Sequence, residues 1–90
     1  MALLLGVDVG TTNCKAGVFD ESGRMVRFCK SGTITHHDAD GAAWYDPEQL
    51  WQGIAQIIRN ATADLAEGER IDAVSVASMG EAGVPVDAHN

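Results

Sequence analysis

Gly6-Val7-Asp8-Val9-Gly10-Thr11-Thr12-Asn13-Cys14-Lys15 is the stretch whose reading decides the fold. Leu3-Leu4-Leu5 leads into it, and the apolar run through Val7 suits a central strand buried on both faces. Asp8 interrupts that run, and a carboxylate there calls for a positive partner, either a hydrated Mg²⁺ or a nearby Lys. Gly10 permits a tight turn. Thr11, Thr12 and Asn13 then offer backbone N–H groups and side-chain donors to an anion, and Lys15 adds a point charge. The pattern suits a phosphate. It equally suits a hairpin turn whose Asp and Thr side chains satisfy their own backbone, and spacing alone does not choose between the two.

Length and charge narrow the field. Ninety residues make at most one domain with a single thin core, because a chain of this size buries only somewhat above ~60% of its unfolded surface. A formal charge of −7, from 13 acidic and 6 basic residues, disfavours nucleic acid and anionic membranes as partners. No stretch approaches the ~18 apolar residues of a membrane helix. The apolar start is too short for a signal peptide and has no basic segment before it. Cys14 and Cys29 show neither CxxC nor zinc spacing, so both read as reduced thiols of a cytoplasmic protein.

Outward from the opening stretch, strand one covers residues 2 to 9 and strand two residues 14 to 20. Strand two carries Cys14, Ala16 and Val18 on one face and Lys15, Gly17 and Phe19 on the other. Asp20-Glu21-Ser22-Gly23 is a turn, and residues 24 to 31 form a third strand whose Arg24, Arg27 and Lys30 suit a sheet edge. Residues 31 to 44 lack periodicity and read as a surface loop. His36-His37-Asp38 within it invites a metal, but adjacent His side chains diverge and the spacing fits no common site.

Asp46 is a good N-cap with Pro47 at the first helical position and Gln49 where a capping box would have it. Tyr45 is placed to staple onto Leu50. Leu50, Trp51, Ile54, Ile57, Ile58, Ala61 and Leu65 recur on one side, so a helix over 47 to 66 is expected, with Trp51 and Ile58 covering a sheet face. Residues 71 to 77 make a fourth strand, and the helical crossover sets it parallel to the first. The expected order is 3-2-1-4. Ser78, Met79, Gly80 and Glu81 then lie beyond the carboxyl end of a parallel strand, where open α/β sheets gather ligands. Glu81 can accept hydrogen bonds from a polyol there, or stand as an exposed loop carboxylate.

The sequence GVDVGTTNCKAGVFD resembles the first phosphate-binding hairpin of the actin-like ATPase superfamily, which includes sugar kinases, heat-shock 70 chaperones and actin. Two further segments narrow the resemblance to the FGGY carbohydrate kinases: Trp44-Tyr45-Asp46-Pro47-Glu48 with Leu50-Trp51, and Ser78-Met79-Gly80-Glu81 followed by a short strand to Asp87. Heat-shock 70 ATPases match Gly10 to Asn13 but not these.

This resemblance implies an α/β, partial ribonuclease-H-like fold, with a three-stranded antiparallel meander, one long helix and a fourth strand parallel to the first. It implies that ATP meets Gly10, Thr11, Thr12, Asn13 and Lys15, that Asp8 holds Mg through water, and that Ser78 to Glu81 meet a sugar or polyol. Lys15 stands where glycerol kinases usually have Arg, which keeps charge but loses the bidentate fork. Met79-Gly80-Glu81 takes the place of Gln-Arg-Glu in glycerol kinases, so the Arg is missing and simple glycerol specificity is disfavoured. The implied reaction is γ-phosphoryl transfer from MgATP to a sugar hydroxyl.

Residues 1 to 90 are then expected to be the N-terminal part of the first, sugar-binding domain. The catalytic base and adenosine pocket lie elsewhere in such enzymes, so the chain alone is expected to be inactive. One sheet face and the outer edge of strand four are left uncovered, a geometry open to self-association. The competing readings are a non-catalytic nucleotide-binding or interaction module and a fragment of a heat-shock-70-like ATPase.

Overall fold

A computed structural model describes residues 2–89. Met1 and Asn90, the ends of the expected domain span, lie outside the described residues. The elements run β1 (Ala2–Val9), β2 (Asn13–Phe19), β3 (Met25–Gly32), β4 (His36–His37), β5 (Ala43–Trp44), α1 (Pro47–Thr62) and β6 (Arg70–Ser78). The main sheet has the order β3-β2-β1-β6, with β1 antiparallel to β2, β2 antiparallel to β3, and β1 parallel to β6. This is the predicted topology, with strands two and three each displaced by one residue at their ends.

Alternation along the strands builds the core. Leu3, Leu5 and Val7 of β1 and Cys14, Ala16 and Val18 of β2 turn to the same side, where Ile57 and Ala61 of α1 close over them. Ala16 and Val18 are completely buried. The expectation that β1 is covered on both faces fails. Leu4 is 42% exposed, because α1 lies over β2 and β3 on one side and no second helix among the described residues covers the other.

The same placement of α1 corrects the reading of Trp51. The helix does not extend over β6, so Trp51 overhangs open space at 60% exposure and covers no sheet face. Strand β6 is largely exposed on both of its faces.

The helix begins as expected, with Asp46 Oδ1 accepting from the backbone N–H groups of Glu48 and Gln49 at 3.0 and 3.2 Å. The reciprocal half of a capping box is missing because the Gln49 side chain pairs with His36 Nε2 at 2.7 Å. The helix ends at Thr62, short of the predicted residue 66. Thr62 Oγ1 donates back to the Ile58 carbonyl at 2.8 Å. Beyond it, Asp64 is drawn to Arg27 at 3.0 Å, and Glu69 ties a turn back to Ala66 through both its backbone and its carboxylate.

Residues 31 to 44 are more ordered than the expected loop. His36–His37 pairs with Ala43–Trp44, the His36 ring stacks on Trp44 with centroids 4.4 Å apart, and Trp44 Nε1 donates to Asp38 at 2.9 Å. Those partners occupy His36 and Asp38. No group of three or more metal-ligating side chains is gathered among the described residues.

At the β2–β3 turn, Asp20 Oδ1 accepts from Ser22 Oγ at 2.6 Å, Ser22 N at 2.9 Å and Arg24 N at 3.0 Å. The Ser22 hydroxyl first, then the Arg24 N–H, hold the Asp20 carboxyl below its ordinary pKa.

Candidate active site

The loop between β1 and β2 is built around Gly10. A Cβ at this position would lie 2.5 Å from the Asn13 carbonyl oxygen, so only glycine fits the turn. Gly10 N–H donates to that same oxygen at 3.1 Å. Thr11 and Thr12 stand exposed at the tip, and Asn13 is half-buried where β2 begins.

A residue that sequence reasoning passed over holds this loop from behind. Thr33, just past β3, donates its hydroxyl to the Gly10 carbonyl at 2.6 Å and its N–H to the Thr12 carbonyl at 2.9 Å. Cys14 Sγ lies 3.4 Å from the same hydroxyl. Strand register was the available signal, since Asn13 pairs with Gly32 and so brings residue 33 beside the loop.

Asp8 and Lys15 are direct cross-strand partners, and their side chains leave the sheet on the face that α1 does not cover. They meet at 3.9 Å with about half of each side chain exposed, 49% and 47% respectively. They border a shallow depression of about 280 Å³ lined also by Gly6, Gly17, Phe19 and Phe28.

Ser78 to Glu81 reaches the same end of the sheet, because Met79 N–H donates to the Val9 carbonyl at 2.9 Å. Glu81 adopts φ +61°, a left-handed conformation uncommon for a residue with a Cβ. Ser78, Met79 and Glu81 line a cleft of about 760 Å³ together with Val9 and the aromatic residues Trp44, Tyr45 and Trp51. Gly80 is not among its lining residues. The sequence places Tyr45 at the helix cap, Trp51 in the core and Trp44 at the end of a surface loop, and none of them in a cleft. The strand expected from Ala82 to Asp87 is absent, and this segment runs as irregular chain along the cleft.

The predicted residues therefore split across the sheet. Asp8 and Lys15 face the open side, Ser78, Met79 and Glu81 face the helix side, and Gly10 to Thr12 cap the strand ends between them. Two strand ends and a donor loop converge beyond the carboxyl end of a parallel pair, the position at which α/β sheets bind ligands.

A profile of the FGGY family of carbohydrate kinases, N-terminal domain, matches residues 3–90. The chain belongs to the FGGY family of carbohydrate kinases. This FGGY chain is 33% identical over 79 residues to a glycerol kinase of Rhodospirillum centenum, an alignment covering 87% of the chain and 16% of that relative. Among solved structures, xylulose kinase from Rhodospirillum rubrum superposes with a TM-score of 0.86 at 24% identity, over 97% of this chain and 18% of that one, which establishes shared fold. A glucokinase of the ROK family from Streptomyces griseus, in complex with glucose and AMPPNP, superposes with a TM-score of 0.62 at 29% identity, over 84% of this chain and 20% of that one. The FGGY chain thus has the partial ribonuclease-H-like, actin-like ATPase fold expected of it, and spans about a sixth of the length of the glycerol kinase. Among the described residues no helix is long and apolar enough to cross a membrane.

Proposed function

We propose that this chain supplies the first phosphate-binding loop, and part of the alcohol-binding surface, of an ATP-dependent kinase that phosphorylates a sugar or polyol hydroxyl. The observation that carries the reading is the Gly10–Asn13 turn, held from behind by Thr33 with Thr11 and Thr12 exposed at its mouth. Residues 1 to 90 then form the N-terminal part of the first, sugar-binding domain. Catalysis is proposed for the longer parent protein, and the cytoplasm as its compartment, where the free thiols Cys14 and Cys29 stay reduced.

In this reading Gly10, Thr11, Thr12 and Asn13 bind the phosphate chain through N–H and hydroxyl donors, and Lys15 neutralises part of its charge. Asp8 fits a hydrated Mg²⁺: its carboxylate is half-exposed, paired only loosely with Lys15, and able to accept from metal-bound water. When bound, MgATP supplies the phosphoryl group for transfer. Ser78, Met79, Gly80 and Glu81 face the alcohol, with Glu81 accepting from its hydroxyls.

The glucokinase complex supports the nucleotide, since AMPPNP differs from ATP in one bridging atom. Glycerol and glucose in the names of similar kinases support a sugar or polyol as the substrate class. The exposed Leu4, Phe28, Val74 and Val76 favour self-association of the isolated chain, read as a mass that rises with concentration in light scattering.

The test is a titration of the chain with MgATP, followed by amide NMR. Shifts confined to Gly10–Lys15 and abolished by Asp8→Asn with Lys15→Met support the reading. A well-dispersed spectrum that does not move at millimolar MgATP, together with a parent protein that forms no ADP with glycerol, xylulose or gluconate, would reject it.

A further inference from the structure

We infer that Thr33 is a positioning residue for phosphate binding: by holding the Gly10 and Thr12 carbonyls it aims the Thr11 N–H out of the loop toward the anion. This rests on the reading of residues 10 to 13 as a phosphate loop, and adds a residue outside that loop which shapes it.

The geometry follows from peptide planarity. In a trans peptide the C=O of one residue and the N–H of the next point in opposite directions, and every described peptide here is trans. The Gly10 carbonyl is drawn to Thr33 Oγ1 at 2.6 Å, so the Thr11 N–H is turned away from Thr33. The Thr12 carbonyl is drawn to Thr33 N at 2.9 Å, which turns the N–H of Asn13, the other end of that peptide, away from Thr33 in the same way. Both acceptors are thereby removed from the loop's mouth, where a carbonyl oxygen would repel a phosphate. Neither Thr11 nor Thr12 N–H has a backbone acceptor among the described residues. The loop thus presents donors and hides acceptors, the polarity that an anion requires.

Cys14 completes the arrangement. The single hydroxyl proton of Thr33 goes to the Gly10 carbonyl, so the Cys14 thiol 3.4 Å away is the donor to Thr33 Oγ1. The relay runs from the buried thiol through the hydroxyl to the carbonyl. It links the core under β2 to the loop tip and holds Thr33 in the rotamer that reaches Gly10.

A hydroxyl is therefore required at position 33, while the methyl group is dispensable. Thr33→Val keeps the shape and removes the donor, and Thr33→Ser restores it. In the 90-residue chain, Thr33→Val should shift the Thr11 amide resonance and weaken MgATP binding about fivefold, the weight of one hydrogen bond, with Thr33→Ser returning both toward the original. A merely structural role would lower the urea midpoint while leaving the affinity of the folded protein unchanged. An unshifted Thr11 amide with unchanged affinity in Thr33→Val would overturn the inference. Should the valine variant not fold, the unmodified chain still decides: the Thr33 hydroxyl proton, bonded to the Gly10 carbonyl, is expected to exchange slowly with water and to be visible in the NMR spectrum, and a freely exchanging hydroxyl counts against the clamp. Should the unmodified chain fail to bind MgATP, the phosphate reading fails for this chain, while the Thr11 shift and its rescue by serine still report on the positioning.

Discussion

Lys15 Nζ lies 3.9 Å from Asp8 Oδ2, directly across the β1–β2 ladder, with each side chain about half in water. A half-exposed pair at this distance contributes little to stability, roughly 0–1 kcal/mol before further screening by salt. Its weight falls on the ligand. Lys15→Met is expected to change the urea midpoint only slightly and to weaken MgATP binding. Lys15→Arg is expected to keep the binding, because the charge is retained. Isothermal titration beside urea denaturation separates the two effects, and a large stability loss with unchanged binding would reverse the assignment.

Gly10→Ala should disrupt the loop more than any exposed substitution. The added Cβ would stand 2.5 Å from the Asn13 carbonyl oxygen, a backbone atom that cannot move aside without breaking the turn. A cost of about 1–3 kcal/mol is expected, as for other forced overpacking. Urea denaturation measures it, and a change below about 0.5 kcal/mol would show that the turn relaxes freely.

Asp20 sets an acid sensitivity at the far turn. Its folded-state pKa is lowered, chiefly by the Ser22 hydroxyl and then by the Arg24 N–H, so the folded state binds its proton less readily than the unfolded chain. Its contribution to stability is fully present above the ordinary aspartate pKa of about 3.9, and is lost as pH falls from there through the depressed folded value. The urea midpoint should therefore fall below about pH 4, and less steeply in Asp20→Asn than in the unmodified chain. Parallel slopes in the two proteins would remove Asp20 from the acid response.

Leu3 and Trp51 should respond in the reverse order of their size. Leu3 is almost wholly buried in the core cluster that includes Val18 and Ile57, so Leu3→Ala is expected to cost about 2–5 kcal/mol. Trp51 overhangs the cleft, and Trp51→Ala is expected to stay within about 0.5 kcal/mol in the isolated chain. Thermal or urea unfolding of the two variants checks the contrast. A large loss at Trp51 would mean that the aromatic lining of the cleft is packed by something more than this chain.

Much of this protein was legible before any coordinates. The apolar run from Leu3 to Val7, alternation in Cys14-Ala16-Val18, a capped helix at Asp46-Pro47, and the β-helix-β order together determined the four strands of the main sheet, their order and the parallel partner of β1, because apolar pattern, capping and crossover handedness are local or nearly local properties. The loop at Gly10 and the segment at Ser78 were found the same way. The role of Thr33 and the exposure of Leu4 and Trp51 were decided only by tertiary structure. Thr33 meets Gly10 across 23 residues through the register of two strands, and no local pattern encodes that meeting. Leu4 and Trp51 carry apolar side chains that the sequence pattern marks as buried, yet burial needs a covering element: α1 covers only the face opposite Leu4, and beyond its Trp51 end it does not extend over β6. Sequence periodicity says which way a side chain turns, while the reach of the neighbouring element decides what it meets.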